Sequence, residues 1–256
     1  MPKFAANLSM MFNEYPFLDR FAAAADCGFT AVEYLFPYEH PAELVAEKLH
    51  DAGLAQALFN MPPGDWADGE RGMAALPGRE DDFAAALDTA VFYAKVIGTP
   101  LLHMMAGNAP ADDAAAIAAY RANLRRAAER TGEAGIGLVI EPINGRDMPD
   151  YFLNDFQRAI DFIDEVGEAH VKLQFDVYHR QILHGDVVMA LRRMAPIIGH
   201  IQIASVPERH EPMSGELNDL RIFDEIDAIG YRGYIGCEYR PAAGTRAGLG
   251  WLDNQK

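Results

Sequence analysis

Eight short apolar runs recur along this 256-residue chain at intervals of roughly 30 residues, the length of one βα unit. They fall at 4–8, 31–35, 54–60, 100–105, 137–143, 171–177, 200–205 and 234–239. Such runs are too short for core helices, and several are apolar almost throughout, as strands covered on both faces must be. Amphipathic stretches lie between them. "YPFLDRFAAAADCG" stops at Gly28, "PAELVAEKLHDAG" at Gly53 and "DLRIFDEIDAIG" at Gly230, and each opens near a proline or an acid, the usual punctuation of helices. Eight strands alternating with helices over one domain's length predict an α/β fold, a single (β/α)8 TIM barrel across residues 1–256. An open doubly wound sheet would need a glycine-rich phosphate loop after its first strand, and "ANLSMMFNEY" offers none.

One connection exceeds its neighbours. Residues 61–79, "MPPGDWADGERGMAALPGR", join strand 3 to the next helix with four glycines, three prolines, Trp66 and two arginines, Arg71 and Arg79. Connections this long without secondary structure of their own are lids, binding loops or disorder. The tryptophan and the arginines argue against disorder. A loop following a barrel strand lies at the face where active sites sit, so this one reads as lid-like, with Trp66 and Arg71 as substrate contacts.

The chain carries 22 basic and 38 acidic residues, a formal charge of −16. That field excludes nucleic-acid binding through net charge, and an anionic substrate would need a local group of cations or donors. Two cysteines, Cys27 and Cys237, make neither a disulfide framework nor a zinc ligand set. No window holds 18 consecutive apolar residues, and "MPKFAANLSMMF" lacks the pattern of a secretory leader. The expectation is a soluble cytoplasmic protein with no nucleic-acid and no membrane partner; homo-oligomer formation is left open.

The chemistry gathers at the ends of the later strands. Glu141 ends "GLVIE", Asp176 ends "VKLQFD", Gln202 lies in "HIQIAS" and Glu238 ends "YIGCE". Each is about one βα unit from the next, which places the four on strands 5 to 8, neighbours around a barrel. Parity supports an inward face: Glu141 shares its face with Val139 and Ile143, Gln202 with His200 and Ala204, Glu238 with Gly236. Three carboxylates brought together resist ionisation unless a cation joins them. Oxygen donors favour Mg²⁺ or Mn²⁺ over Zn²⁺. Gln202 would be a neutral fourth ligand, its oxygen toward the metal and its nitrogen toward a further acceptor. His179, three residues after Asp176, and Arg209, in the loop after strand 7, are candidate substrate contacts. Glu33, Asn7 and His103 read either as lining of the mouth or as satisfied polar groups of the core.

At these residues the chain resembles the hydroxypyruvate isomerase family of the xylose-isomerase-like metal barrels. The likeness runs nearly end to end through "ANLSMMF", "VEYLFPY", "GDWADGERG", "IEPIN", "QFDVYH", "GHIQIASVPERHEPMSGE" and "GCEYRP". The resemblance implies that Glu141, Asp176, Gln202 and Glu238 hold the metal and that Glu141 and Glu238 transfer protons. Related ketose 3-epimerases carry histidine at the position of Gln202, which points toward the hydroxypyruvate branch. The implied reaction interconverts hydroxypyruvate and tartronate semialdehyde through an enediolate. The branch is also similar to isomerases of 2-oxo-tetronates, four-carbon 2-keto acids with the same reacting end, and a polyol dehydratase is the more distant alternative. A metal-dependent endonuclease on this barrel would need histidine-rich zinc ligands and a basic face, neither of which the sequence supplies.

Overall fold

The computed structural model describes residues 2–253. Eight parallel strands, β1 (Lys3–Asn7), β2 (Ala31–Tyr34), β3 (Ala55–Asn60), β4 (Leu101–His103), β5 (Gly137–Ile140), β6 (Val171–Asp176), β7 (Ile198–Ile203) and β8 (Tyr234–Cys237), hydrogen-bond in chain order into a closed barrel. The expected (β/α)8 fold is the observed one. Among the described residues, contacts are densest within two units, 2–57 with 175–253, and 58–174.

In the first unit, β1 pairs with both β2 and β8, and β7 pairs with β8. The outward face of β1 carries Phe4, whose ring packs edge-on against Phe223 and Trp251 at 5.3 and 5.0 Å. The opposite face is therefore interior. There Ala5, Ala31 and Ala57 form a buried layer of small side chains. Two residues further along β1 and β2 come Asn7 opposite Glu33, while Gln202 stands opposite Gly236, which itself pairs with Ala5. The interior thus passes from apolar to polar along the strands.

In the second unit, the alanine-rich helix Ala114–Ala134 starts on Asp113, whose carboxylate accepts from the backbone of Ala115 and Ala116, and stops at Gly135 with φ +68°. The long loop after β3 is tied down in its second half. Met73, Ala74 and Ala75 are buried, Asn123 donates to the Ala74 carbonyl at 2.9 Å, and Gly72 pairs with Ala106. Gly72 has φ +108°, and a Cβ there would lie 2.4 Å from the Met105 carbonyl oxygen, so only glycine permits this approach.

The strands stop earlier than their apolar runs suggest. Pro142 has no N–H to extend β5, so the strand ends at Ile140 and Glu141 follows it. β6 ends at Asp176 because that carboxylate caps the next helix, Val177–His184, accepting from Tyr178 and His179 backbone N–H groups. β7 begins at Ile198, two residues before the expected start.

Candidate metal centre

Glu141 comes directly after β5, Asp176 is the last residue of β6, and Glu238 comes directly after β8. His179 stands in the first turn of Val177–His184, turned by the cap that Asp176 itself provides. One ligand atom from each of Asp176, His179 and Glu238 lies within 4.8 Å of the others, and these three side chains and that of Glu141 are buried. Of the expected ligands, Asp176 and Glu238 are brought together. His179, expected as a substrate contact, joins them, with its Nε2 3.5 Å from Asp176 Oδ2.

The surroundings hold each acid in place. Glu141 Oε2 accepts from Gln174 Nε2 at 2.8 Å and lies 3.7 Å from His103 Nε2, whose other ring nitrogen faces Asn60 Oδ1 at 3.2 Å. Arg209, in the loop after β7, reaches Glu238 Oε2 with Nη2 at 2.6 Å and stands 3.7 Å from Asp176 Oδ2. Its guanidinium lies 4.8 Å from the centre of the Tyr178 ring. Arg209 is held with φ +59°, an uncommon conformation for a residue with a side chain. The arginine expected to meet substrate is thus engaged with the protein's own glutamate.

Burial pushes the Glu238 carboxyl well above the usual carboxylate range; Arg209 pulls it down, and repulsion from Asp176 and Glu33 raises it further. Two ionised carboxylates at such a separation repel by about 3 kcal/mol at an effective dielectric near 20. The one guanidinium offsets one of the two negative charges of Asp176 and Glu238. A divalent cation would supply the remaining counter-charge, and carboxylate oxygens are suitable donors for it, with the His179 imidazole beside them. The cluster can therefore bind a metal ion.

Gln202 is buried in β7, and its Nε2 donates to Glu33 Oε1 at 2.7 Å. Trp66 and Arg71 sit on each other in the long loop: the guanidinium lies 3.8 Å from the indole centre, and Nη1 donates to the carbonyls of Trp66 and Glu70. Gln174 was not singled out from the sequence, although its parity with Asp176 two residues on marks it as sharing the inward face.

Residues 21–255 match the xylose isomerase-like TIM barrel family, and the chain belongs to it. Among its relatives is the 2-oxo-tetronate isomerase of Cupriavidus necator, 59% identical over 98% of each chain. The hydroxypyruvate isomerase of Escherichia coli is 42% identical over 99% of each. A crystal structure described as AP endonuclease, family 2, from Brucella melitensis superposes with a TM-score of 0.97, at 46% identity over 100% of both chains.

Proposed function

We propose that this chain is a metal-assisted isomerase that moves a carbonyl between C2 and C3 of a short 2-keto acid, with a 2-oxo-tetronate as preferred substrate. The observation that carries the reading is the convergence of Glu238 with Asp176 and His179 in one buried cluster beside Arg209. The higher identity to the 2-oxo-tetronate isomerase shifts the preference from hydroxypyruvate to the four-carbon acid. Both acids share the reacting end HO–CHR–CO–COO⁻, with R a hydrogen in hydroxypyruvate and a hydroxymethyl group in the tetronate.

Glu141 and Glu238, from strands 5 and 8, act on opposite faces of the substrate. One removes the proton from C3, a cis-enediolate forms, and a proton is returned at C2. Glu141, Asp176, Gln202 and Glu238 would hold Mg²⁺ or Mn²⁺, which when bound would supply Lewis-acid stabilisation of the charge that develops on the carbonyl oxygen. His179 donates to a substrate oxygen. Arg209, already aimed at Glu238, shares its guanidinium with the substrate carboxylate, and Arg71 on its Trp66 platform approaches from the loop. The loop excludes water from the enediolate.

The endonuclease description of the Brucella protein remains that protein's own. A chain of charge −16, whose cluster contains a single histidine, is poorly suited to a phosphodiester polyanion.

The test incubates the purified protein with Mg²⁺ or Mn²⁺ in D₂O, with 2-oxo-tetronate and with hydroxypyruvate separately, and follows each by NMR. Isomerisation with solvent deuterium entering at C2 is expected, faster with the tetronate. Faster turnover of hydroxypyruvate would reverse the substrate preference. Isomerisation without any solvent label would argue for a hydride shift, and no turnover of either acid would end the reading.

A further inference from the structure

Glu33, near the end of β2, is fully buried and lies outside the cluster of Asp176, His179 and Glu238. Its Oε1 accepts from Asn7 Nδ2 at 2.9 Å and from Gln202 Nε2 at 2.7 Å, and its Oε2 meets His200 Nε2 at 2.6 Å. The partners come from β1 and β7. β8 makes the room between them: a Cβ at Gly236 would lie 2.2 and 2.3 Å from the two carboxylate oxygens. Asn7 is itself fixed, its Oδ1 accepting from the Ser9 backbone N–H. Three strands thus supply donors or space for one acid on a fourth. That acid also lies close enough to Glu238 to add to the repulsion there.

A carboxylate offers acceptors and no donor. Facing one, the Gln202 carboxamide must present its nitrogen, and its oxygen turns to the other side. A glutamine without such a partner could reverse its amide and present N–H groups to a cation, which repels them. We propose that Glu33 is a positioning residue of the metal centre, holding the Gln202 carboxamide in the orientation that offers oxygen to a divalent cation. His200 and Asn7 keep the acid in place, and Gly236 admits it. The proposal rests on the reading of Gln202 as a ligand. Groups that orient metal ligands from behind typically change metal affinity by about 10–100-fold when replaced.

Mn²⁺ binding to the full-length protein, measured by calorimetry, separates the two ideas. Glu33→Gln and Gln202→Ala are each expected to weaken Mn²⁺ by about 10–100-fold, and the double variant to bind no more weakly than Gln202→Ala alone. Unchanged affinity in Gln202→Ala would remove Gln202 from the ligand set. Weakening in Gln202→Ala with unchanged affinity in Glu33→Gln, or additive losses in the double variant, would overturn the role of Glu33. Should Glu33→Gln not fold, NMR of the labelled wild-type protein decides. On Mg²⁺ addition, the Gln202 Cδ resonance should shift while its Nε2 protons stay protected from solvent exchange. A shift with rapidly exchanging Nε2 protons overturns the positioning role; no shift at Cδ overturns the ligand reading.

Discussion

Replacing Arg209 with methionine keeps the stem of the side chain and removes its charge. Its Nη2 lies 2.6 Å from Glu238 Oε2 and 3.7 Å from Asp176 Oδ2, and all three residues are buried. Removing one partner of a buried ion pair costs about 3–5 kcal/mol, because the other charge is left without compensation. The lost stacking on Tyr178 adds up to about 1 kcal/mol. Glu238 can reduce the loss by taking a proton. Burial already raises this carboxyl, and without Arg209 it rises further. The lower end, about 3 kcal/mol, is therefore expected at neutral pH, or a fall in Tm of roughly 6–12 °C for a chain of this size.

The pH dependence has a definite sign. An acid raised in the folded state holds its proton there longer than in the unfolded chain, so stability falls as pH climbs from the unfolded to the folded pKa. Taking away Arg209 moves the upper end of that window higher, and the gap between variant and wild type should widen under alkaline conditions. Thermal unfolding followed by circular dichroism at pH 6, 7.5 and 9, in chelator, is the assay. Saturating Mg²⁺ should then recover part of the loss by binding only the folded chain, about 2.7 kcal/mol at a hundredfold excess over Kd. A Tm drop below about 2 °C at every pH would refute the claim that Arg209 is the main counter-charge of the cluster.

Three further outcomes follow from the same geometry. Glu238→Gln removes a proton carrier while keeping its size, so turnover should vanish while the folded circular dichroism spectrum persists; wild-type kcat in that variant would remove Glu238 from proton transfer. Arg71→Ala should raise KM for the keto acid by about 10–100-fold, the worth of a charge-assisted hydrogen bond, with little change in kcat; unchanged steady-state kinetics would separate the long loop from substrate binding. Gly236→Ala places a methyl group against the Glu33 carboxylate and should destabilise the protein by about 2 kcal/mol or more, seen as a Tm lower by at least roughly 4 °C; a wild-type Tm would show that Glu33 can be displaced at little cost.

The fold was legible because its signals are local. Strand runs, helix stops at Gly28, Gly53 and Gly230, and their repeat spacing are properties of neighbouring residues, and they suffice to specify eight βα units. The same spacing put Glu141, Asp176 and Glu238 at strand ends, so the convergence of Asp176 and Glu238 could be anticipated from counting alone. Strand limits were harder to place, since Pro142 and the capping role of Asp176 act against an otherwise apolar pattern. His179 could be seen as near the site but not as a member of the cluster, because its direction depends on the turn that Asp176 caps.

Partnership was beyond the sequence. Glu33 could be read either as lining or as a satisfied core group; it meets His200 and Gln202 across 167 and 169 residues of chain. Arg209 finds Glu238 across 29 residues, where the sequence showed only an arginine in a loop. Hydrogen bonds and ion pairs are decided by a few ångströms between side chains, and periodicity fixes only the face on which a side chain stands. The sequence by itself determined the barrel and the strand ends that carry its acids. Only the closed tertiary structure decided which donor meets which acceptor, and hence that Arg209 serves Glu238 and that the Gln202 nitrogen is held by Glu33.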